Sequence, residues 1–168
     1  PSRERVQQYR VLRDEVEVTV GRINGMHGEL GSPPIHYLHQ SYPREEMTAR
    51  VLAAMDDPHL TIVGHPTGRL LLSRDPYGLD LDAVIAKAAA TGVAIEINAD
   101  PHRLDLDWRV LPQAKAAGVA ISTGADAHNL AGIANVEFGV GIARKGGLGA
   151  DDILNTRSAE AFLAFARK

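Results

Sequence analysis

Leu60-Thr61-Ile62-Val63-Gly64-His65-Pro66 is an apolar, β-branched run closed by glycine, histidine and proline. A run with no polar alternation reads as a strand covered on both faces, hence a central strand of a parallel sheet. Upstream, Arg44 to Met55 places Met47, Val51, Leu52 and Met55 on one helical face after Pro43, and Asp57-Pro58 stops the helix. Downstream the rhythm continues. Leu81 to Ala90 reads as an Ala-rich helix closed by Thr91-Gly92, and Val93-Ala94-Ile95-Glu96-Ile97 as the next strand. Leu106 to Ala117 reads as a helix capped by Gly118, and Val119 to Thr123 as a strand running into Gly124-Ala125-Asp126-Ala127-His128. Helix and strand in alternation give an α/β class with a parallel sheet or barrel.

The first 40 residues follow another pattern. Arg3 to Asp14 reads as a charged amphipathic helix and Val16 to Val20, with its alternating valines, as a strand; Gly21 to Pro34 has no period. A chain of 168 residues with 45% hydrophobic content supports one domain with a sizeable core. The formal charge of -3 gives no global attraction to nucleic acid, so a DNA contact requires a local basic patch. With no cysteine, disulfides and thiolate metal sites are excluded, while seven histidines and many carboxylates remain as ligands. No apolar run approaches a membrane span and the polar start is no signal peptide, so a soluble, cytoplasmic protein without membrane partners is expected.

In parallel α/β folds, reactive groups collect at the carboxyl ends of the strands, where the loops share one mouth. His65 ends one expected strand, Glu96 and Asn98 the next, and Asp126 and His128 the third. Asp126 and His128, two residues apart, project to one side of extended backbone. Alone, Asp-Ala-His is a weak signal and reads more readily as a polar turn after a buried strand. Beside His65 it reads as a carboxylate and imidazole set suited to Zn²⁺, Mn²⁺ or Fe²⁺. His36 and His39 lie in opposite alternation in Ile35 to His39, so one of them faces the mouth, whereas His27, His59 and His102 read as surface histidines. Arg69 and Arg103 follow His65 and Asn98 closely, as cations able to hold phosphate oxygens.

Gly64-His65-Pro66-Thr67-Gly68-Arg69, the stretch Glu96 to Trp108 (Glu-Ile-Asn-Ala-Asp-Pro-His-Arg-Leu-Asp-Leu-Asp-Trp) and Asp126-Ala127-His128 resemble the PHP (polymerase and histidinol phosphatase) superfamily, closest to the PHP domain of bacterial family X DNA polymerases. Phe138 to Arg144 and Asp152 to Thr156 resemble the same subgroup. The resemblance covers residues 38–168 well and 1–37 poorly. It implies the carboxy-terminal part of a distorted (β/α)7 barrel, with Mn or Zn, up to three ions in the complete domain. It also implies a Mn²⁺-dependent 3′–5′ exonuclease working on DNA 3′ ends in repair, through a parent polymerase and a metal-bound water. On matching positions, His65, Asp126 and His128 are implied metal ligands. His39, in Leu38-His39-Gln40-Ser41, takes the place of the family's Val-His-Ser histidine, and Glu17 that of its bridging glutamate. Arg69, Asn98 and Arg103 are expected to bind substrate.

The family's opening His-x-His motif is absent. A chain that keeps the later ligands without it is expected to be part of a longer protein, in which an amino-terminal PHP half and polymerase domains are partners. The alternatives are a stand-alone phosphatase of a small phosphomonoester such as histidinol phosphate, and a non-catalytic PHP scaffold.

Overall fold

Alternating apolar and polar positions in Ala94–Asn98 bury Ile95 and Ile97 on one face, and this strand becomes the centre of the sheet. The computed structural model describes residues 7–37 and 42–166, and it divides the chain into two units, Pro1–Tyr42 and Pro43–Lys168.

Among its described residues the first unit holds one helix, α1 (Gln7–His27). The strand expected at Val16 to Val20 is the middle of that helix. Val16, Val20 and Ile23 are its half-buried apolar residues, at helical spacing, so the 3.6-residue period prevails over the local valine alternation. Arg13 and Glu17 add an i,i+4 ion pair at 3.5 Å. After the helix, the Asn24 amide donates to the Ile35 carbonyl at 2.9 Å and accepts from the Ile35 N–H at 3.0 Å, which folds the Gly-rich stretch back.

The second unit runs α2 (Arg44–Ala54), β1 (Ile62–Val63), α3 (Leu81–Thr91), β2 (Ala94–Asn98), α4 (Leu111–Ala116), β3 (Ile121–Gly124), α5 (Val136–Lys145) and α6 (Ala159–Ala166). The strands are parallel in the order β1-β2-β3. Val84, Ile85 and Ala88 of α3 pack with Ile95, Ile97, Leu106, Leu111 and Ile121 into one core. Lys145, at the end of α5, holds its ammonium 4.5 Å from the centre of the Trp108 ring.

In this unit two expectations need correction, the place of β1 and the start of α4. The run opening at Leu60 is not central: among the described residues β1 is an edge strand, and both its residues are half-buried. The three described strands form a small parallel sheet of the expected α/β class, and closure into a (β/α)7 barrel is not seen among the described residues. The helix expected from Leu106 begins only at Leu111. Its first turn is pulled into the sheet, where Asp105 exchanges backbone hydrogen bonds with Asn98 and the Leu106 N–H donates to the Glu96 carbonyl at 3.2 Å.

Candidate functional site

The parallel sheet carries the chemistry-bearing turns at the carboxyl ends of its strands. His65 follows β1 in the left-handed region at φ 26°, and Asp126 follows β3 at φ 50°. Neither is glycine, so each turn is held by its surroundings at a cost of roughly 1 kcal/mol or more. For His65 the holder is visible: its backbone N–H donates to Glu96 Oε2 at 2.7 Å.

Asp126 pairs with Arg103 at 3.3 Å, both groups being largely shielded from solvent. The His128 ring Nδ1 lies 2.7 Å from the Asp126 carbonyl, and the residue is exposed. A cleft of about 310 Å³ is lined by Asp100, His102, Asp126, His128 and Asn135. His102, which the sequence ranks as a surface histidine, thus shares a wall with the expected ligands. The Asp100 carboxylate takes the His102 backbone N–H at 2.7 Å and stands 2.8 Å from ring Nδ1. Partial burial works against ionising Asp100, yet the His102 backbone and ring bonds and the charge of Arg103 prevail and hold its pKa below the usual range.

Two of the expected substrate residues are committed elsewhere. Arg69 donates from Nε to the Arg103 carbonyl at 2.8 Å and from Nη1 to Asp107 at 2.6 Å, and a further bond goes to the Leu104 carbonyl. It ties the loop after β1 to the loop after β2. Asn98 is buried, and its side-chain oxygen accepts from the Asp100 N–H at 3.1 Å. Arg103 faces the cleft-lining Asp126. Glu17 belongs to the first unit, on α1, and His39 lies outside the described residues.

The donor set suits a borderline divalent ion, since two imidazoles and a carboxylate sit on strand-end turns. Among the described residues, however, no three His, Asp or Glu side chains converge closely enough to hold one. Asp126 and His128 line one cleft, and His65 stands on the turn after β1.

Sequence comparison gives two kinds of relative. DNA polymerase/3′-5′ exonuclease PolX of Bacillus subtilis is 37% identical over 133 residues, covering 78% of this chain and 23% of PolX. A stretch of that length must include His65, Asp126 and His128 wherever it begins. This chain contains a PolX-related region. Separately, the model of glycosyltransferase family 20 matches residues 1–57. Trehalose-6-phosphate synthases of Mycobacterium leprae and of Mycobacterium tuberculosis are each 35% identical over 111 residues, covering 62% of this chain and 22% of the synthase. The two similarities overlap, and the chain spans under a quarter of the length of these relatives. The glycosyltransferase match covers residues 1–37, where the PHP resemblance is poor, and takes in both Glu17 and His39.

Proposed function

We propose that the Pro43–Lys168 unit is the phosphoesterase part of a PolX-like protein, a Mn²⁺- or Zn²⁺-dependent 3′–5′ exonuclease acting on DNA in repair. The observation that carries this reading is the 37% identity to PolX over a stretch long enough to span the positions of His65, Asp126 and His128. These residues lie on the turns that follow β1 and β3. A bound ion would supply an acidified water and neutralise phosphate charge.

In this reading His65, Asp126 and His128 hold the ion. Arg103, now paired with Asp126, offers its guanidinium to a phosphate oxygen. Arg69 and Asn98 act one step back, by shaping the loop that presents Arg103. His102, braced by Asp100, is placed to hydrogen-bond the substrate from the same cleft. Glu17 and His39 fall inside the glycosyltransferase match, so the proposal rests on the other three ligands. The His-x-His ligands that this sequence lacks would come from a partner PHP segment, and grip on the DNA from polymerase domains.

A second reading, a PHP scaffold without catalysis, is favoured by the open ligand set and by the Arg103 charge already neutralising Asp126. One experiment separates the two. The purified protein is dialysed against Mn²⁺ and against Zn²⁺, analysed for retained metal, and incubated with a 5′-labelled single-stranded oligonucleotide. The exonuclease reading expects a stoichiometric ion and shortening from the 3′ end, both lost in Asp126→Ala and His65→Ala. Substoichiometric metal with an intact oligonucleotide selects the scaffold, and shortening that survives both substitutions rules out the assigned ligands.

A further inference from the structure

Glu96 points into the carboxyl edge of the sheet from its central strand, and a glycine stands on either side of it. A Cβ at Gly64, after β1, would lie 3.4 Å from Glu96 Oε2, and a Cβ at Gly124, ending β3, would lie 2.3 Å from Oε1. Any side chain at position 124 would therefore displace the carboxylate. Ordinary strand pairing does not require this: Glu96 is in register with Ser122, and Asn98 with Gly124, so the glutamate leans two residues along the sheet to reach its seat. There Oε2 takes the His65 N–H at 2.7 Å. A charge-assisted bond of that length is of the strong kind. It acts on a residue whose φ of 26° is unfavourable for a side chain other than glycine.

We infer that Glu96 is a positioning residue: its carboxylate, seated between Gly64 and Gly124, locks the His65 turn and so sets the geometry of the ion site. The inference rests on the proposed function, in which His65 is a ligand. Outer partners that orient ligands typically carry about 10- to 100-fold in metal affinity. Glu96 does so through the backbone, where loss of the carboxylate frees the turn to relax away from its left-handed conformation.

The test compares the whole protein with Glu96→Ala, Glu96→Gln and Gly124→Ala, each checked for folding by circular dichroism. Gly124→Ala keeps the carboxylate but pushes it from its seat, and the atom it meets is the movable end of a side chain. One readout needs no metal: the chemical shift and hydrogen-exchange protection of the His65 amide. The other is Mn²⁺ affinity by titration. Glu96→Ala and Gly124→Ala are expected to move the amide resonance upfield, to speed its exchange and to weaken Mn²⁺ by about tenfold or more. Glu96→Gln, whose amide oxygen can still accept the bond, should recover most of both. A His65 amide unchanged in Glu96→Ala and Gly124→Ala overturns the inference, as does unchanged Mn²⁺ affinity alongside a displaced amide. Should Glu96→Ala fail to fold, Gly124→Ala decides alone. If the unsubstituted protein binds no Mn²⁺, the proposed function falls, while the amide comparison still decides whether Glu96 holds the turn.

Discussion

Asp107 is the most heavily bonded carboxylate of the second unit. It receives Arg109 Nε at 2.8 Å and the Arg109 backbone N–H at 2.9 Å on one oxygen, and Arg69 Nη1 at 2.6 Å on the other. The Arg109 side-chain bonds are the largest influence on its pKa; burial opposes them, and the Arg109 backbone and Arg69 add to them, leaving the carboxyl far below its ordinary value. A carboxyl with a folded pKa below its unfolded one adds stability that is complete above about pH 5 and fades as pH falls through about 4 and lower. Asp107→Ala is therefore expected to cost about 2 kcal/mol at pH 7, between the values for exposed and buried pairs, with the deficit narrowing at pH 3. Urea unfolding at the two pH values measures it, and a deficit that grows on acidification would refute the assignment. At this scale the sequence was legible in part. His65, Asp126 and His128 could be placed on strand ends from their position alone. The duties of Arg69 and Asn98 could not, because their partners are loop carbonyls, the distant Asp107 carboxylate and a backbone N–H that composition does not reveal. Nor could the seat of Glu96, whose two glycines are distant in sequence and come together only through strand pairing.

Helix α3 shows what local sequence can determine. Asp80 caps it, accepting the Ala83 N–H at 3.1 Å, and Gly92 ends it in the left-handed conformation at φ 64°. Asp80→Ala should cost about 1 kcal/mol, and Gly92→Ala a comparable amount through backbone strain. Thermal melts of the two single variants and of the double variant check this, with near-additive losses expected because the caps lie at opposite ends. The elements that sequence reading missed share a cause. The amino-terminal stretch carries two hydrophobic periods at once, and the longer one wins in α1. The stretch from Leu106 to Val110 has helical composition, yet the pairing of Asp105 with Asn98 and the bonding of Asp107 keep it in turns. Strand and helix rhythm was thus readable wherever local propensity acted unopposed, and it failed where a contact distant in sequence overrode it.

For the molecule as a whole, the two units differ in what they can sustain. Every residue of the buried core, from Met55 to Leu148, lies in the second unit, and none of residues 10–37 is fully buried. Removal of residues 1–42 is expected to leave a protein that unfolds cooperatively, with a melting temperature within about 4 °C of the full chain, the shift that roughly 1 kcal/mol produces in a domain of this size. A broad, non-cooperative melt of the truncated protein would show that the second unit depends on the first. The glycosyltransferase match does not stop at the unit boundary but runs on through α2 to residue 57. The contact of Lys145 with Trp108 has a practical consequence. The chain has a single tryptophan, so its ultraviolet emission comes from one place, beside the clasped loop and at the end of α5. Departure of α5 would strip the ammonium from the indole face and admit water, shifting the emission to longer wavelength. One intrinsic fluorophore therefore serves as a reporter for the melting of the second unit, with no label attached.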